Sequence, residues 1–167
     1  MAVEDLGTGR RRGALLYLAG ALSLLTALIH LWVTPQHLEE WWGYGAFFVI
    51  TALAQGLYGA ALLRWPSRPL LLVGIGGNLA VIALYVVTRT AGIPFFGPHA
   101  GEVETVGAID LCATASELAL IIALGTLLLR GLPRERRRLV LVIVAVAAVS
   151  IGHLVHLLFR ASPAHGP

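Results

Sequence analysis

Residues 139–159 read LVLVIVAVAAVSIGHLVHLLF, an apolar run interrupted only by Ser150 and by two histidines, His153 and His156. A run of about 20 such residues is long enough to cross a bilayer as a helix. Ionisable side chains at that depth are expensive and tend to be kept for a purpose. The i, i+3 spacing sets both imidazoles on one helix face, as a shared ligand requires.

Four more runs of the same kind precede it, at about 13–33, 44–63, 69–88 and 106–129. The linkers between them (34–43, 64–68, 89–105 and 130–138) are short and polar or marked by Pro and Gly. Backbone amides in lipid must be satisfied within the chain, which selects helices, and no β-barrel alternation is present. The expected fold is therefore an all-α membrane protein, a five-transmembrane-helix bundle. It divides into a basic N-terminal segment at 1–12, the transmembrane domain at 13–160 and a short tail at 161–167. The composition agrees: 57% of the 167 residues are hydrophobic and 13% charged, against roughly 25% charged in a soluble domain.

Arginine sets the expected direction. All twelve basic residues are arginine, and ten of them (10, 11, 12, 64, 68, 130, 134, 136, 137 and 138) fall on one side of a five-span threading; only Arg89 and Arg160 fall on the other. Positive-inside logic places the N-terminus in the cytoplasm and the C-terminus outside, in a plasma (cell inner) membrane. Trp32, Trp41, Trp42 and Trp65 fall near the span ends, where aromatic belts form. The first run exceeds a signal-peptide core and no Ala-x-Ala site follows, so it is read as a retained span. The single cysteine, Cys112, excludes an internal disulfide, a Cys-x-x-Cys motif and covalent haem attachment.

On this threading all six histidines and six of the nine acidic residues lie outside the membrane or in its outer half. His30 is in span one, Asp110 and Glu117 in span four, His153 and His156 in span five. His37, His99, Glu102 and Glu104 flank them, without assignable roles. Each span also carries a polar stripe at helical spacing: Ser23, Thr26 and His30; Thr51, Gln55 and Tyr58; Asn78, Tyr85 and Arg89; Asp110, Thr114 and Glu117; Ser150, His153 and His156. Rows of small residues at spacing four (Ala19, Ser23, Ala27; Ala52, Gly56, Ala60; Ala115, Ala119, Ala123; Ala148, Gly152) predict close helix contact.

Imidazole with carboxylate is a ligand set for Zn, Fe, Mn or Cu(II). The leading expectation is an outward-facing pocket binding a metal ion for catalysis, handling or sensing, with His30, Asp110, Glu117, His153 and His156 as ligands. Glu117 is the candidate catalytic base toward bound water. Arg89, Tyr85 and Asn78 are the candidate residues for holding a larger cofactor. Alternatives are a b-type haem electron-transfer protein with axial histidines, a small proton or ion transporter, and an accessory subunit of a larger membrane complex; a homo-oligomer is also open. Asp110 or Glu117 paired with Arg89 is the purely structural reading of the same charges. The loop at 89–105, with two prolines, three glycines and Phe95–Phe96, reads either as a lid or as a plain connector. Gly74, Gly76 and Gly77 lack the third glycine of a dinucleotide fingerprint. The arginine run at 134–138 is a topology determinant and not a nucleic-acid site.

Overall fold

The computed structural model describes residues 2–138 and Val142. The chain divides into two compact units, Met1–Leu128 and Leu129–Pro167. Among the described residues the structure is helical, with four long apolar helices: α1 (Ala2–Glu40), α2 (Trp42–Arg64), α3 (Arg68–Thr90) and α4 (Ala108–Arg130). Each is long and apolar enough to span a membrane, and together they make a membrane helical bundle. The fifth expected span, 139–159, with His153 and His156, lies outside the described residues.

The helix ends follow from local chemistry. Ser67 caps α3 by accepting from the Leu70 N–H at 3.4 Å, and Pro69 stands in the first turn, where its missing N–H costs nothing. Thr90 ends α3 because Gly92 adopts φ 69°, and a Cβ there would stand 2.6 Å from the Glu102 carbonyl oxygen. Asp110 Oδ2 accepts from the Gly107 N–H at 3.0 Å, the reach-back half of a capping box at the start of α4. In the second unit the helix resumes at residue 134, with the Arg137 N–H donating to the Pro133 carbonyl at 3.0 Å.

One expectation is corrected. The segment 34–43 is not an irregular linker: α1 continues through Pro35 to Glu40, and Trp41 alone, extended at φ −170° and ψ 137°, separates it from α2. Pro35 cannot bond the Leu31 carbonyl. Around it the Thr34 hydroxyl donates to the His30 carbonyl at 2.7 Å and His37 Nδ1–H to the Val33 carbonyl at 2.9 Å. These bonds stiffen the turns on either side of the proline, although neither reaches the Leu31 carbonyl itself.

Contacts run in opposite directions along neighbouring helices. On α1 and α2, Gly59 faces Gly20 and Ser23, Gly56 faces Ala27, and Phe48 meets His30. On α2 and α3, Tyr58 meets Gly74 and Gln55 meets Asn78. On α3 and α4, Gly74 faces Leu124 and Arg89 meets Asp110. The helices therefore alternate up and down. A Cβ on Gly59 would lie 3.3 Å from the Gly20 carbonyl oxygen, so the α1–α2 approach depends on small residues. The small-residue row on α2 turns inward through Ala52, Gly56 and Gly59, leaving Ala60 exposed.

The interior inverts the pattern of a water-soluble protein. Ser23, Thr26, His30, Gln55, Asn78 and Glu117 are buried, whereas Leu28, Ile50, Leu57, Val73 and Ile122 are exposed. In a bilayer the exposed aliphatic surface meets acyl chains, and the polar groups are satisfied against one another. One end of the bundle is closed by an apolar layer of Ala19, Leu62, Leu71, Leu120, Leu124 and Leu127.

Candidate functional site

Glu117 is the centre of the polar layer. It falls on the buried face of α4 with Ala113, Leu120 and Leu124 and is 1% exposed. A carboxylate so placed needs donors, because water cannot reach it. Gln55 Nε2 of α2 donates to Glu117 Oε1 at 3.2 Å. His30 Nε2 of α1, 5% exposed, stands 3.3 Å from the same oxygen. Behind them Gln55 Nε2 also reaches Asn78 Oδ1 at 3.4 Å, and Asn78 Nδ2 donates to the Gly74 carbonyl at 2.8 Å. Ser23 Oγ donates to the Gln55 backbone carbonyl at 2.7 Å, holding α2 in register with α1. All four helices thus contribute to one layer. Gln55 Oε1 and the Tyr58 hydroxyl are buried without hydrogen-bond partners.

A second charged cluster forms where α3 ends and α4 begins. Arg89 Nη2 meets Asp110 Oδ2 at 2.8 Å, and Arg89 Nη1 meets Glu104 Oε2 at 2.7 Å. The same Nη1 donates to Thr88 Oγ1 at 2.7 Å, and the guanidinium stacks 4.7 Å above the Tyr85 ring. One cation thereby holds two carboxylates, one on α4 and one on the loop at 91–107. The Glu104 N–H donates to the Thr88 carbonyl at 3.0 Å, tying that loop back to α3. The loop also reaches the α1–α2 junction: the Tyr44 hydroxyl donates to the Phe96 carbonyl at 3.2 Å, and the Phe96 ring packs edge-on against Trp41 at 5.0 Å. The Phe95 ring remains exposed. His99 and Glu102 pair at 3.1 Å on its exposed surface, where such a pair contributes little.

Between the two clusters lies a cavity of about 500 Å³. Its walls include Phe47, Phe48, Val81, Leu84 and Ile109, and Phe95 and Phe96 come from the loop. Both clusters line it: His30 and Glu117 at one end, Arg89, Glu104 and Asp110 at the other. Asp110 and Glu117 are two turns apart on α4, about 10 Å along its axis.

The sequence-derived candidates therefore separate. His30 and Glu117 converge, but Asp110 joins Arg89 and Glu104 instead of the histidine centre. Among the described residues no group of three or more His, Cys, Asp or Glu side chains has the arrangement of a metal site. His153 and His156 are outside the described residues. Arg89 and Tyr85 sit together at the cavity, whereas Asn78 belongs to the amide layer beside Gln55.

Two contributors were noted in the sequence without a role at the site. Gln55 clamps Glu117, and His37 lines the cavity with its ring 4.1 Å from Phe48. Their signals were position alone: Gln55 shares the α2 stripe with Thr51, and His37 lies two turns beyond His30. Comparison with known protein families, curated proteins and solved structures returns no match.

Proposed function

We propose that the protein is a multi-pass protein of the plasma membrane that binds a metal ion at the His30–Glu117 centre. Five spans carry it across, with the N-terminus in the cytoplasm and the C-terminus outside, so that the cavity opens outward. The topology rests on the ten-to-two partition of arginines across the linkers.

The observation that carries the metal reading is the convergence of His30 Nε2 and Glu117 Oε1, 3.3 Å apart and buried, from helices far apart in sequence. A charge-assisted N–H···O bond closes to about 2.7–2.9 Å. Two ligands of one tetrahedral ion, each at about 2.0–2.1 Å, stand roughly 3.4 Å apart. The pair is within hydrogen-bonding reach at this separation, and the same separation also accommodates two ligands of one ion. Gln55 then serves as the outer partner that orients a ligating carboxylate. On this reading the ion faces the cavity as a Lewis acid. Haem fits less well: His30 Nε2, the usual iron ligand, faces Glu117, and Arg89 already holds two carboxylates where propionates would compete.

Elemental analysis of the detergent-purified protein, together with its absorption spectrum, tests the proposal. The expected result is about one Zn, Fe, Mn or Cu per chain, lost in His30→Ala and in Glu117→Gln while helicity is retained. A Soret band would replace the metal with haem. A folded protein that takes up no metal would overturn both.

A further inference from the structure

The His30–Glu117 centre occupies only one end of the cavity; a single ion leaves most of the roughly 500 Å³ unfilled. The remainder is of small-molecule size. Its lining is acidic: Glu40, Glu104, Asp110 and Glu117 against the one guanidinium of Arg89. Its walls are aliphatic and aromatic, with Tyr44, Phe47, Phe48 and Phe96 contributing rings. Both terminal nitrogens of Arg89, the one guanidinium on this lining, are already engaged by Glu104 and Asp110.

Apart from Arg89, whose Nε is buried without a hydrogen-bond partner, the charged groups on the lining are carboxylates. Glu117 is buried at the cavity, its Oε1 facing His30 Nε2 and accepting from Gln55 Nε2. His37 donates through Nδ1 to the Val33 carbonyl, which leaves Nε2 of the neutral ring as an acceptor. A hydrocarbon would leave the acidic lining without a counter-charge, and an anion would meet carboxylates at both ends. A cation with an apolar body answers both the charge and the walls, and aromatic faces attract it further.

We propose that this cavity binds an amphiphilic organic cation, its apolar body against the Phe47–Phe48 and Val81–Leu84 walls and its charge directed to Glu117. The proposal needs neither an ion nor residues 139–159, and it competes with the metal reading at Glu117, whose carboxylate a bound ion would neutralise.

Tetraphenylphosphonium and tetraphenylborate, ions of matched size and shape with opposite charge, test it by equilibrium dialysis against purified protein, before and after chelator treatment. Saturable binding of the phosphonium alone, weakened about tenfold or more by Glu117→Gln, is expected. The exposed pair Glu40→Gln/Glu104→Gln weakens it severalfold, and decides the matter if Glu117→Gln does not fold. Equal uptake of both ions, no saturable uptake, or phosphonium binding indifferent to the acidic residues would overturn the proposal. Binding that survives chelation in a protein without metal supports the cation site while removing the metal reading. Bound metal without phosphonium binding does the reverse.

Discussion

Replacing Glu117 and Gln55 with alanine, singly and together, isolates the bond on which the polar layer turns. Glu117 Oε1 accepts from Gln55 Nε2 at 3.2 Å and faces His30 Nε2 at 3.3 Å, in a residue 1% exposed. Glu117→Ala leaves His30 Nε2 without its partner and Gln55 Nε2 with only the long 3.4 Å contact to Asn78 Oδ1, and opens a void on the packed face of α4. By analogy with buried truncations it costs about 2–4 kcal/mol. The coupling between Gln55 and Glu117 is smaller. Double-mutant cycles between membrane helices average about 0.6 kcal/mol and reach about 1.7. Deep burial pushes toward the upper figure and the long contact toward the lower, so about 1 kcal/mol is expected. Reversible unfolding in mixed micelles, followed by far-UV circular dichroism, measures each corner of the cycle. Thr126, whose exposed hydroxyl bonds only its own helix at the Ile122 carbonyl, is the control partner, and its coupling to Gln55 should be near zero. A Gln55–Glu117 coupling equal to that of the control would refute the view that these side chains join α2 to α4.

Three further outcomes are expected. Arg89→Met leaves Glu104 and Asp110 as neighbouring carboxylates; it should cost about 1–2 kcal/mol by the same unfolding assay, with Arg89→Lys recovering only part because an ammonium cannot span both partners. Gly92→Ala forces a Cβ into a left-handed turn against the Glu102 carbonyl; at about 1–2 kcal/mol of strain the loop should become more sensitive to limited proteolysis between residues 91 and 107. Gly59→Val should separate α1 from α2 and lower the thermal midpoint in detergent, whereas valine at the exposed Ala60 should leave it within error.

Much of the bundle was legible because lipid imposes one rule, twenty apolar residues per span, and the runs at 44–63, 69–88 and 106–129 obey it closely. The polar stripes were legible for the same reason: a helix presents residues four apart to one neighbour, and Ser23, Gln55, Asn78 and Glu117 meet as their spacing implied. Partner choice within the layer was not legible. Depth places Asp110 and Glu117 both near His30, but the two-turn rise between them on α4 and the arrival of Glu104 on the loop decide that Asp110 goes to Arg89. Nor does periodicity reveal that Pro35 is carried inside a helix, where hydroxyl and imidazole groups of the adjoining turns fold back onto the His30 and Val33 carbonyls. The cavity is a property of four packed surfaces and has no linear signature.

The single extended residue at Trp41 carries a mechanical consequence. With no slack between them, α1 and α2 can neither slide nor part without unwinding a turn, so the wall bearing His30, His37 and Phe48 behaves as a fixed plate. Any widening that admits a guest falls to the opposite side, where α3 and α4 are joined by the long segment at 91–107. The Arg89 clasp then sets the threshold for opening, and the hairpin supplies the fulcrum.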